Sequence, residues 1–378
     1  MISHLATPDK DSIPRFYPEH IHNISGFESD RARIIHSSSF RKLGYKTQIF
    51  LNYAGDLYRT RLTHTMEVAQ VSRTIAKKLG LNDTLAETIA LAHDLGHSPF
   101  GHSGERALQS ISSSFEPFNH NLQTIRIVTA LERTENNFPG LNLSITTLDG
   151  IIKHNGPIYD NIPESIAKFA KLYNLELNYF PSLEAQVAAI SDDIAYIVHD
   201  IDDGIRANLI AINDIIDVLP KLENMIKTHQ NEKQMLSSFL NSLRNMFIDD
   251  VIQNSLNTLD KVYINELSDM RSKKLIDFSS HVKNIATTIK LILMQKVYRH
   301  HNILKISFTT QKIIVDLFKA FFESVELLPP DWYNLVQKSD QKVEKYRIIC
   351  DYISGMTDRF AIYQHQKLFN INYSIGYY

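Results

Sequence analysis

The chain contains a single cysteine, Cys350, among its 378 residues. One cysteine excludes an internal disulfide framework and any cysteine-rich metal site. The sequence also lacks a run of about 18 apolar residues, so a membrane-spanning helix is not expected. The first residues show no basic start followed by an apolar stretch, so no secretory signal peptide is predicted. These absences predict a cytoplasmic protein.

An excess of either charge is absent as well. Lysine and arginine number 40 against 42 acidic residues, which gives a formal net charge of −2. A chain so near neutrality has no global field that would attract nucleic acid or an anionic membrane. Any anion must therefore be bound by a local group of cations. Binding to single-stranded nucleic acid is compatible with the sequence, but no feature of it supports such binding.

Helical periodicity is what the sequence does show. Apolar residues recur at helical spacing over 65–79 and 84–95, and Gly80 and Gly96 follow as natural helix ends. The segment 183–205 is apolar on most sides, which is typical of a buried helix. Alternation typical of strands is limited to short pieces such as 46–51. The predicted fold class is therefore all-α.

The chain divides by composition into three parts. Residues 1–25 are rich in proline, histidine and aspartate and are predicted to form an irregular amino-terminal arm. A core follows over 26–205, and amphipathic helices separated by short breaks fill 206–378. Within the core, further helices are predicted over 103–111 and 119–131, with a turn-rich connector over 136–148.

The stretch AHDLGHSPFGHSGE, residues 92–105, places three histidines and two acids within a short distance: His93, Asp94, His97, His102 and Glu105. The first two lie at the predicted end of a helix, before a glycine-rich turn. Adjacent helical residues point about 100° apart, so both reach one ion only beside a helix end or bend. Imidazole and carboxylate ligands suit Mn, Fe, Co, Zn or Mg rather than soft copper.

Two ligands do not make a metal site, so others must come from elsewhere in the chain. His64, in YRTRLTHTMEVAQ, is the first candidate, and Asp192, on the buried helix, is the second. A carboxylate on a buried helix is costly unless it is paired or bound to a metal. Taken singly, His64 reads as an ordinary histidine and the acid pairs as a solvated helix end. Their occurrence together indicates a metal site.

Glycine is concentrated in the same stretch, at Gly96, Gly101 and Gly104. These residues are predicted to let the backbone turn tightly between two helices. A helix that starts near Ser103 would point free N–H groups toward the site, which favours an anion.

The order His … His-Asp … Asp resembles the HD-domain metal-dependent phosphohydrolases, and most closely their deoxynucleoside triphosphate triphosphohydrolase branch, which includes deoxyguanosinetriphosphate triphosphohydrolase-like proteins. Matching blocks span most of the chain in the family's order, at 31–50, 58–70, 92–105, 118–128, 153–157, 184–204 and 351–361. The resemblance implies an all-α HD-domain core over 26–205, with the additional helices of 206–378 packed on it.

The resemblance also implies one divalent ion of the Mg, Mn, Co, Fe or Zn class. Its ligands would be His64, His93, Asp94 and Asp192. Asp192 is preferred to Asp193 because the matching acid of the family lies four residues before a tyrosine.

The implied reaction is hydrolysis of deoxynucleoside triphosphates, of dGTP or of dNTPs generally, to a deoxynucleoside and inorganic triphosphate. Water would attack the α-phosphate. His102 and Glu105 match the family pair that manages protons, and His97 and His120 match residues near the phosphate or the leaving oxygen. The alternatives are a structural role for His97 and a place beside a helix N-cap for His120.

Substrate contacts are implied for four more residues: Arg61, Gln48, Tyr196 and Asp200. Arg61 would bind phosphate, and Gln48 would lie near the 3′-hydroxyl or the base. The other two would pack against the deoxyribose, with a core aromatic as the alternative for Tyr196. Arg59 is a weaker phosphate candidate that could instead form a salt bridge.

Two other functions fit the same residues. One is a different HD-type nucleotidase or phosphodiesterase, and the other is a catalytically silent nucleotide-binding regulatory protein. The resemblance further implies a homo-oligomer, often a hexamer in the family, and allows an activating dNTP at a second site.

Overall fold

Helices make up almost all of the regular structure. The computed structural model describes residues 2–18, 26–51, 57–112, 116–133, 138–160, 162–173, 175–219, 231–261, 270–339 and 341–370. Within these ranges there is no β-strand, and only two isolated bridges occur, Thr47 to Thr60 and Arg133 to Pro139. The all-α prediction is therefore confirmed. No helix in the described ranges has both the length and the apolar character to cross a bilayer.

Ten α-helices lie among the described residues up to position 219. They are α1 Gly26–His36, α2 Ser38–Lys42, α3 Arg61–Leu79, α4 Asp83–Ala92, α5 His102–Ile111, α6 His120–Arg126, α7 Ile145–Ile152, α8 Glu164–Tyr173, α9 Leu183–Arg206 and α10 Asn213–Ile216. Helix α6 continues as a π-helical turn, Ile127–Leu131.

Further helices of the described chain follow α10. They are α11 Glu232–Leu259, α12 Ser280–Leu293, α13 His301–Glu323, α14 Pro330–Gln337, α15 Lys342–Ser354 and α16 Asp358–Phe369. A π-helical turn, Met294–Tyr298, continues α12.

Helix ends decide where the candidate ligands lie. The Thr60 side chain accepts from the backbone of Thr63 in a capping box, so α3 begins four residues earlier than predicted. Asn82 caps α4, which ends at Ala92 rather than at residue 95. His93 is therefore the C-cap of α4, with backbone angles that are still helical, and the turn that carries Asp94 follows it.

The predicted connector over 136–148 is wrong in its last part. Ser144 accepts from the backbone N–H of Thr147 and starts α7 at Ile145. Helix α9 agrees with the predicted buried helix to within one residue.

Helix α9 lies between two groups of buried apolar side chains. Ala188 and Ala195 face a group that includes Val68 of α3 and Ile89 of α4. The opposite side of α9 packs into a group that extends to α11 and α12 and includes Ile194 and Phe247. A third group joins α5 to α13 and α15. Because α9 is packed on both sides, a polar residue on it has a fixed position.

The amino-terminal arm is held against the core where it is described. It forms two short 3₁₀ turns, Ser3–Leu5 and Asp9–Ser12. The buried Arg15 donates to Asp30 at 2.6 Å. Thr7 donates to Glu184 at the start of α9, at 2.7 Å. The division into 1–25, 26–205 and 206–378 stays a prediction.

Candidate active site

Four side chains from three helices meet at one point in the core. His64 lies on the first turn of α3, His93 and Asp94 follow α4, and Asp192 lies on α9. Nε2 of His64 is 3.0 Å from Oδ1 of Asp192 and 4.0 Å from Oδ2 of Asp94. Nε2 of His93 is 3.4 Å from Oδ1 of Asp94 and 3.6 Å from Oδ1 of Asp192. Asp193, in contrast, binds Lys290 at 2.6 Å.

Ligand atoms of His64, His93 and Asp94 all lie within 4.8 Å of one another, as the ligands of one divalent ion would, and Asp192 contacts both histidines of this group. Ligand atoms about 2.1 Å from an ion lie roughly 3.0 Å apart at a right angle and about 4.2 Å apart when opposite. Nε2 of His93 is buried and has no hydrogen-bond partner in the described part of the chain. Its Nδ1 lies 2.6 Å from the carbonyl oxygen of Ala90 and must donate to it, so the lone pair is on Nε2. The residues present therefore suit a metal ion.

The surroundings of Asp94 and Asp192 favour the ionised form of both carboxyl groups. Burial opposes ionisation of Asp94, but His93 and Arg61 hold its pKa well below the ordinary value. Burial likewise opposes ionisation of Asp192, and His93 and a bond from His154 hold its pKa low. Two carboxylates with two imidazoles make a ligand set of the kind that divalent ions prefer.

Three residues beside this centre were not singled out from the sequence. His154 stacks on His93 with ring centroids 5.2 Å apart, and its Nε2 lies 3.4 Å from Asp192. His199 contacts His64, with the two Nδ1 atoms 3.2 Å apart, and it also binds Glu67. A signal was available for two of them. His199 lies two helical turns after Asp192, and Glu67 lies three residues after His64.

A second polar cluster touches the first one. It consists of His97, His102, Glu105 and His120. Glu105 accepts from the backbone N–H and from Nδ1 of His120, at 3.0 and 2.9 Å. Nδ1 of His102 lies 3.4 Å from the other oxygen of Glu105. Nε2 of His97 lies 3.1 Å from Oδ1 of Asp94, so one carboxylate links the two clusters.

Three members of the second cluster also have metal-ligand spacing: His97, Glu105 and His120. The rings of His97 and His120, however, stack with centroids 4.0 Å apart and planes 16° apart. An imidazole lone pair lies in the ring plane, so stacked rings cannot both direct theirs at one ion. Burial opposes ionisation of Glu105, but hydrogen bonds from His102 and His120 hold its pKa well below the ordinary value. The arrangement favours a hydrogen-bonded, proton-handling group over a second metal site.

Arg61 is the one strongly buried guanidinium among the substrate candidates. It is 2% exposed and its Nη1 donates to Oδ2 of Asp94 at 2.8 Å. Nε and Nη2 of Arg61 have no hydrogen-bond partner among the described residues. Buried donors left unpaired are rare and costly, so they indicate a missing acceptor. An anionic oxygen beside Asp94 would satisfy them.

Tyr196 and Asp200 of α9, the residues expected to contact the sugar, lie beside Tyr298 of the π-helical turn after α12. Burial raises the pKa of Asp200 well above its ordinary value, and its Oδ2 accepts from the Tyr298 hydroxyl. Oδ1 of Asp200 is buried without a partner in the described ranges. The ring of Tyr196 lies 6.2 Å from that of Tyr298. Gln48 is partly buried, and its Oε1 also has no partner there.

Arg59 is not free to bind phosphate. Its Nη1 donates to Asp202 and Asp203 at 2.8 Å, and its Nε donates to Glu67 at 3.2 Å. The salt-bridge alternative for Arg59 is the one that the structure supports.

The glycines of the 92–105 stretch do different jobs. Gly101 alone among the three has a left-handed backbone, with φ of 55°. A Cβ there would lie 2.8 Å from Nη2 of Arg61. Gly96 instead allows a close approach, since a Cβ there would lie 2.0 Å from the carbonyl oxygen of His120. Gly104 lies inside α5, so the expectation of three turn glycines is wrong for that residue only.

Comparison with known proteins agrees with the site. Residues 61–197 match the HD domain family, and residues 276–367 match the phosphohydrolase-associated domain family. The first match begins at Arg61 and includes all four proposed metal ligands and the second cluster. The chain is a metal-dependent phosphohydrolase of the HD type.

Two curated relatives define the family more closely. One, from Rickettsia felis, is 42% identical over 355 residues, which cover 92% of this chain and 92% of the relative. Another, from Caulobacter sp. strain K31, is 41% identical over 377 residues, which cover 97% of this chain and 95% of the relative. Both are named deoxyguanosinetriphosphate triphosphohydrolase-like protein. The chain belongs to this family, as the order of its motifs predicted.

Proposed function

We propose that the protein hydrolyses deoxynucleoside triphosphates to a deoxynucleoside and inorganic triphosphate. The observation that carries the proposal is the contact between the two clusters. Asp94 is shared by the metal ligands, by Arg61 and by His97. A phosphoryl group at Asp94 would thus meet a cation, a buried guanidinium and a proton-handling group at once. The names of the relatives support a nucleotide as the substrate.

The metal site would be formed by His64, His93, Asp94 and Asp192. A divalent ion held there supplies Lewis-acid activation of the phosphoryl group and of the attacking water. Mg, Mn, Co, Fe and Zn all suit these ligands.

The remaining steps belong to the protein's own side chains. Water attacks the α-phosphorus and the bond from phosphorus to the 5′-oxygen breaks, so the oxygen of water enters the triphosphate. Arg61 binds the phosphoryl oxygen through its unpaired Nε and Nη2. Glu105 accepts from Nδ1 of His102, and its carboxylate stabilises the imidazolium form of the ring, whose Nε2–H gives the leaving 5′-oxygen its proton. The proton that the attacking water loses to solvent restores this form of His102. His97 and His120 form the wall beside these atoms.

Selection of the sugar is proposed for the group on α9. The free Oδ1 of Asp200 would accept from the 3′-hydroxyl, with Gln48 nearby. The ring of Tyr196 would pack against the deoxyribose and leave little room for a 2′-hydroxyl.

We also propose a homo-oligomer, often a hexamer in the family, that works in the cytoplasm, with an activating dNTP at a second site. Exposed apolar residues on α13 support self-association, with Phe308 at 74% and Leu304 at 51% exposure.

The test is a product assay on the purified chain. Each dNTP, singly and in mixtures, is incubated with Mg²⁺, Mn²⁺ or Co²⁺ in ¹⁸O-labelled water. We expect triphosphate carrying ¹⁸O, together with unlabelled deoxynucleoside. Release of phosphate or pyrophosphate would indicate a different HD-type nucleotidase or phosphodiesterase. Binding of dNTPs without turnover under all conditions would indicate a regulatory nucleotide-binding protein.

A further inference from the structure

We propose that Glu67 and His199 are positioning residues that fix the tautomer of His64 and thereby direct its lone pair into the metal site. The inference rests on the proposed metal centre and assigns a role to two residues outside it.

The three side chains form a continuous hydrogen-bonded chain between α3 and α9. A carboxylate oxygen of Glu67 bonds Nε2 of His199. Nδ1 of His199 lies 3.2 Å from Nδ1 of His64. Nε2 of His64 then faces the carboxylates, 3.0 Å from Asp192. His199 is 1% exposed, so water does not reach these bonds from its side.

The Glu67 carboxylate at one end of this hydrogen-bonded series decides which atom donates in each bond. An ionised carboxylate only accepts, so Nε2 of His199 must donate to Glu67. A neutral His199 then has its lone pair on Nδ1. His64 must therefore donate from Nδ1, which leaves its Nε2 to the ion when a metal is bound. The opposite arrangement would put a proton of His64 where an ion has to bind.

The surroundings of Glu67 favour the ionised carboxylate that this series of hydrogen bonds requires. Its other oxygen accepts from Nε of Arg59 at 3.2 Å. Nη2 of Arg244 on α11 lies 3.7 Å from the oxygen that bonds His199. Two guanidinium groups favour the ionised form of the carboxylate, which is the acceptor-only form that the chain requires.

His93, the second proposed histidine ligand, has its lone pair on Nε2 because of a single hydrogen bond to the backbone. Nδ1 of His93 donates to a backbone carbonyl, which cannot change its role as acceptor. Nδ1 of His64 lies beside Nδ1 of His199 rather than beside a backbone carbonyl. A side-chain relay takes the place of the carbonyl, and partners of this kind are commonly needed to orient histidine ligands.

Matched substitutions separate the relay from ordinary packing. Glu67→Gln and Glu67→Leu both remove the charge and the ion pair with Arg59, but only glutamine keeps an acceptor for His199. His199→Leu removes the middle of the relay. His93→Ala removes a metal ligand and serves as the reference for a lost site. Thermal unfolding of each metal-free variant shows that it is folded.

Two measurements are made without any turnover. Mn²⁺ affinity is measured from the free-ion electron paramagnetic resonance signal. The ¹⁵N spectrum of histidine-labelled, metal-free protein shows which nitrogen of His64 carries the proton. We expect Nδ1–H on His64 in the wild type and in Glu67→Gln. In Glu67→Leu and His199→Leu we expect mixed tautomers and Mn²⁺ affinity lower by roughly 10- to 100-fold, the usual loss for such partners.

The outcomes distinguish the relay from the metal centre. Equal Mn²⁺ affinity of Glu67→Leu, Glu67→Gln and the wild type, with no binding by His93→Ala, overturns the relay and leaves the metal centre in place. Absence of a proton from Nδ1 of His64 in the wild type also overturns the relay. Full Mn²⁺ binding by His93→Ala overturns the metal centre, and the relay with it.

Discussion

Single atoms left without a partner mark the site most clearly at the scale of residues. They include Nε2 of His93, Nε and Nη2 of Arg61 and Nδ1 of His97. Buried polar atoms are nearly always paired, so a group of unpaired ones close together indicates ligands that bind there. The unpaired atoms belong to residues around Asp94, which in the proposed site would link a metal ion to a phosphate.

The sequence predicted the residues of both clusters because their order along the chain is characteristic of a family. It did not predict the roles of His154, His199 or Glu67. Those roles depend on which faces of α3 and α9 pack together, and helical spacing alone does not fix that rotation. Helical spacing also does not tell Arg59 from Arg61. The two arginines belong to one motif, but Arg59 binds an acidic cluster that includes Asp202, whereas Arg61 binds Asp94.

His102→Ala is expected to keep the metal and lose most of the turnover. The His102 side chain is 55% exposed and contacts Glu105 rather than a metal ligand, so its removal should not disturb ion binding. Loss of a proton-transfer residue typically lowers kcat by roughly 10²- to 10⁴-fold. Triphosphate release and bound metal are measured on the same preparation, with the exposed His281→Ala as the control. An unchanged kcat in His102→Ala would remove this residue from proton transfer.

Helix ends and one turn build the site at the scale of elements. The capping box at Thr60 places His64 on the first turn of α3, and the end of α4 at Ala92 places His93 at its C-cap, directly before the turn that carries Asp94. Periodicity predicted these helices but not their ends, because a cap changes a helix boundary by several residues without changing the apolar pattern. The early start of α3 brings Arg61 and His64 onto one helix.

Gly96→Ala tests the close packing of the turn against α6. A Cβ at this position would lie 2.0 Å from the backbone oxygen of His120, which cannot move without the helix. Forced overpacking of this kind costs about 1–3 kcal/mol. We therefore expect a lower thermal midpoint and lower turnover, because His120 and Glu105 are displaced.

Gly44→Ala is the matched control for that substitution. The nearest atom to its Cβ would be 3.5 Å away, on the flexible side chain of Leu62. Equal thermal midpoints for the two variants would show that Gly96 is not a packing constraint.

The carboxyl-terminal helices hold the site together at the scale of the whole molecule. Nζ of Lys46 is buried between the carbonyl oxygens of His97 and Ser354. Asp358, the first residue of α16, accepts from the backbone N–H groups of Thr47 and Phe100. The block at 351–361 was recognisable in the sequence, but its contacts span some 250–310 residues of chain and no local pattern predicts them. The part of the chain that matches the phosphohydrolase-associated domain thus packs against the 92–105 stretch.

The central claim is that the buried cluster around Asp94 binds the ion on which hydrolysis depends. The most direct test measures bound metal and triphosphate release together in the wild type, Asp94→Asn and Asp94→Ala, with thermal unfolding as the check on folding. The near-isosteric asparagine keeps the volume and removes the charge that pairs with Arg61. We predict that both folded variants lose the bound ion and the release of triphosphate. A metal-free Asp94 variant with wild-type triphosphate release would contradict the account.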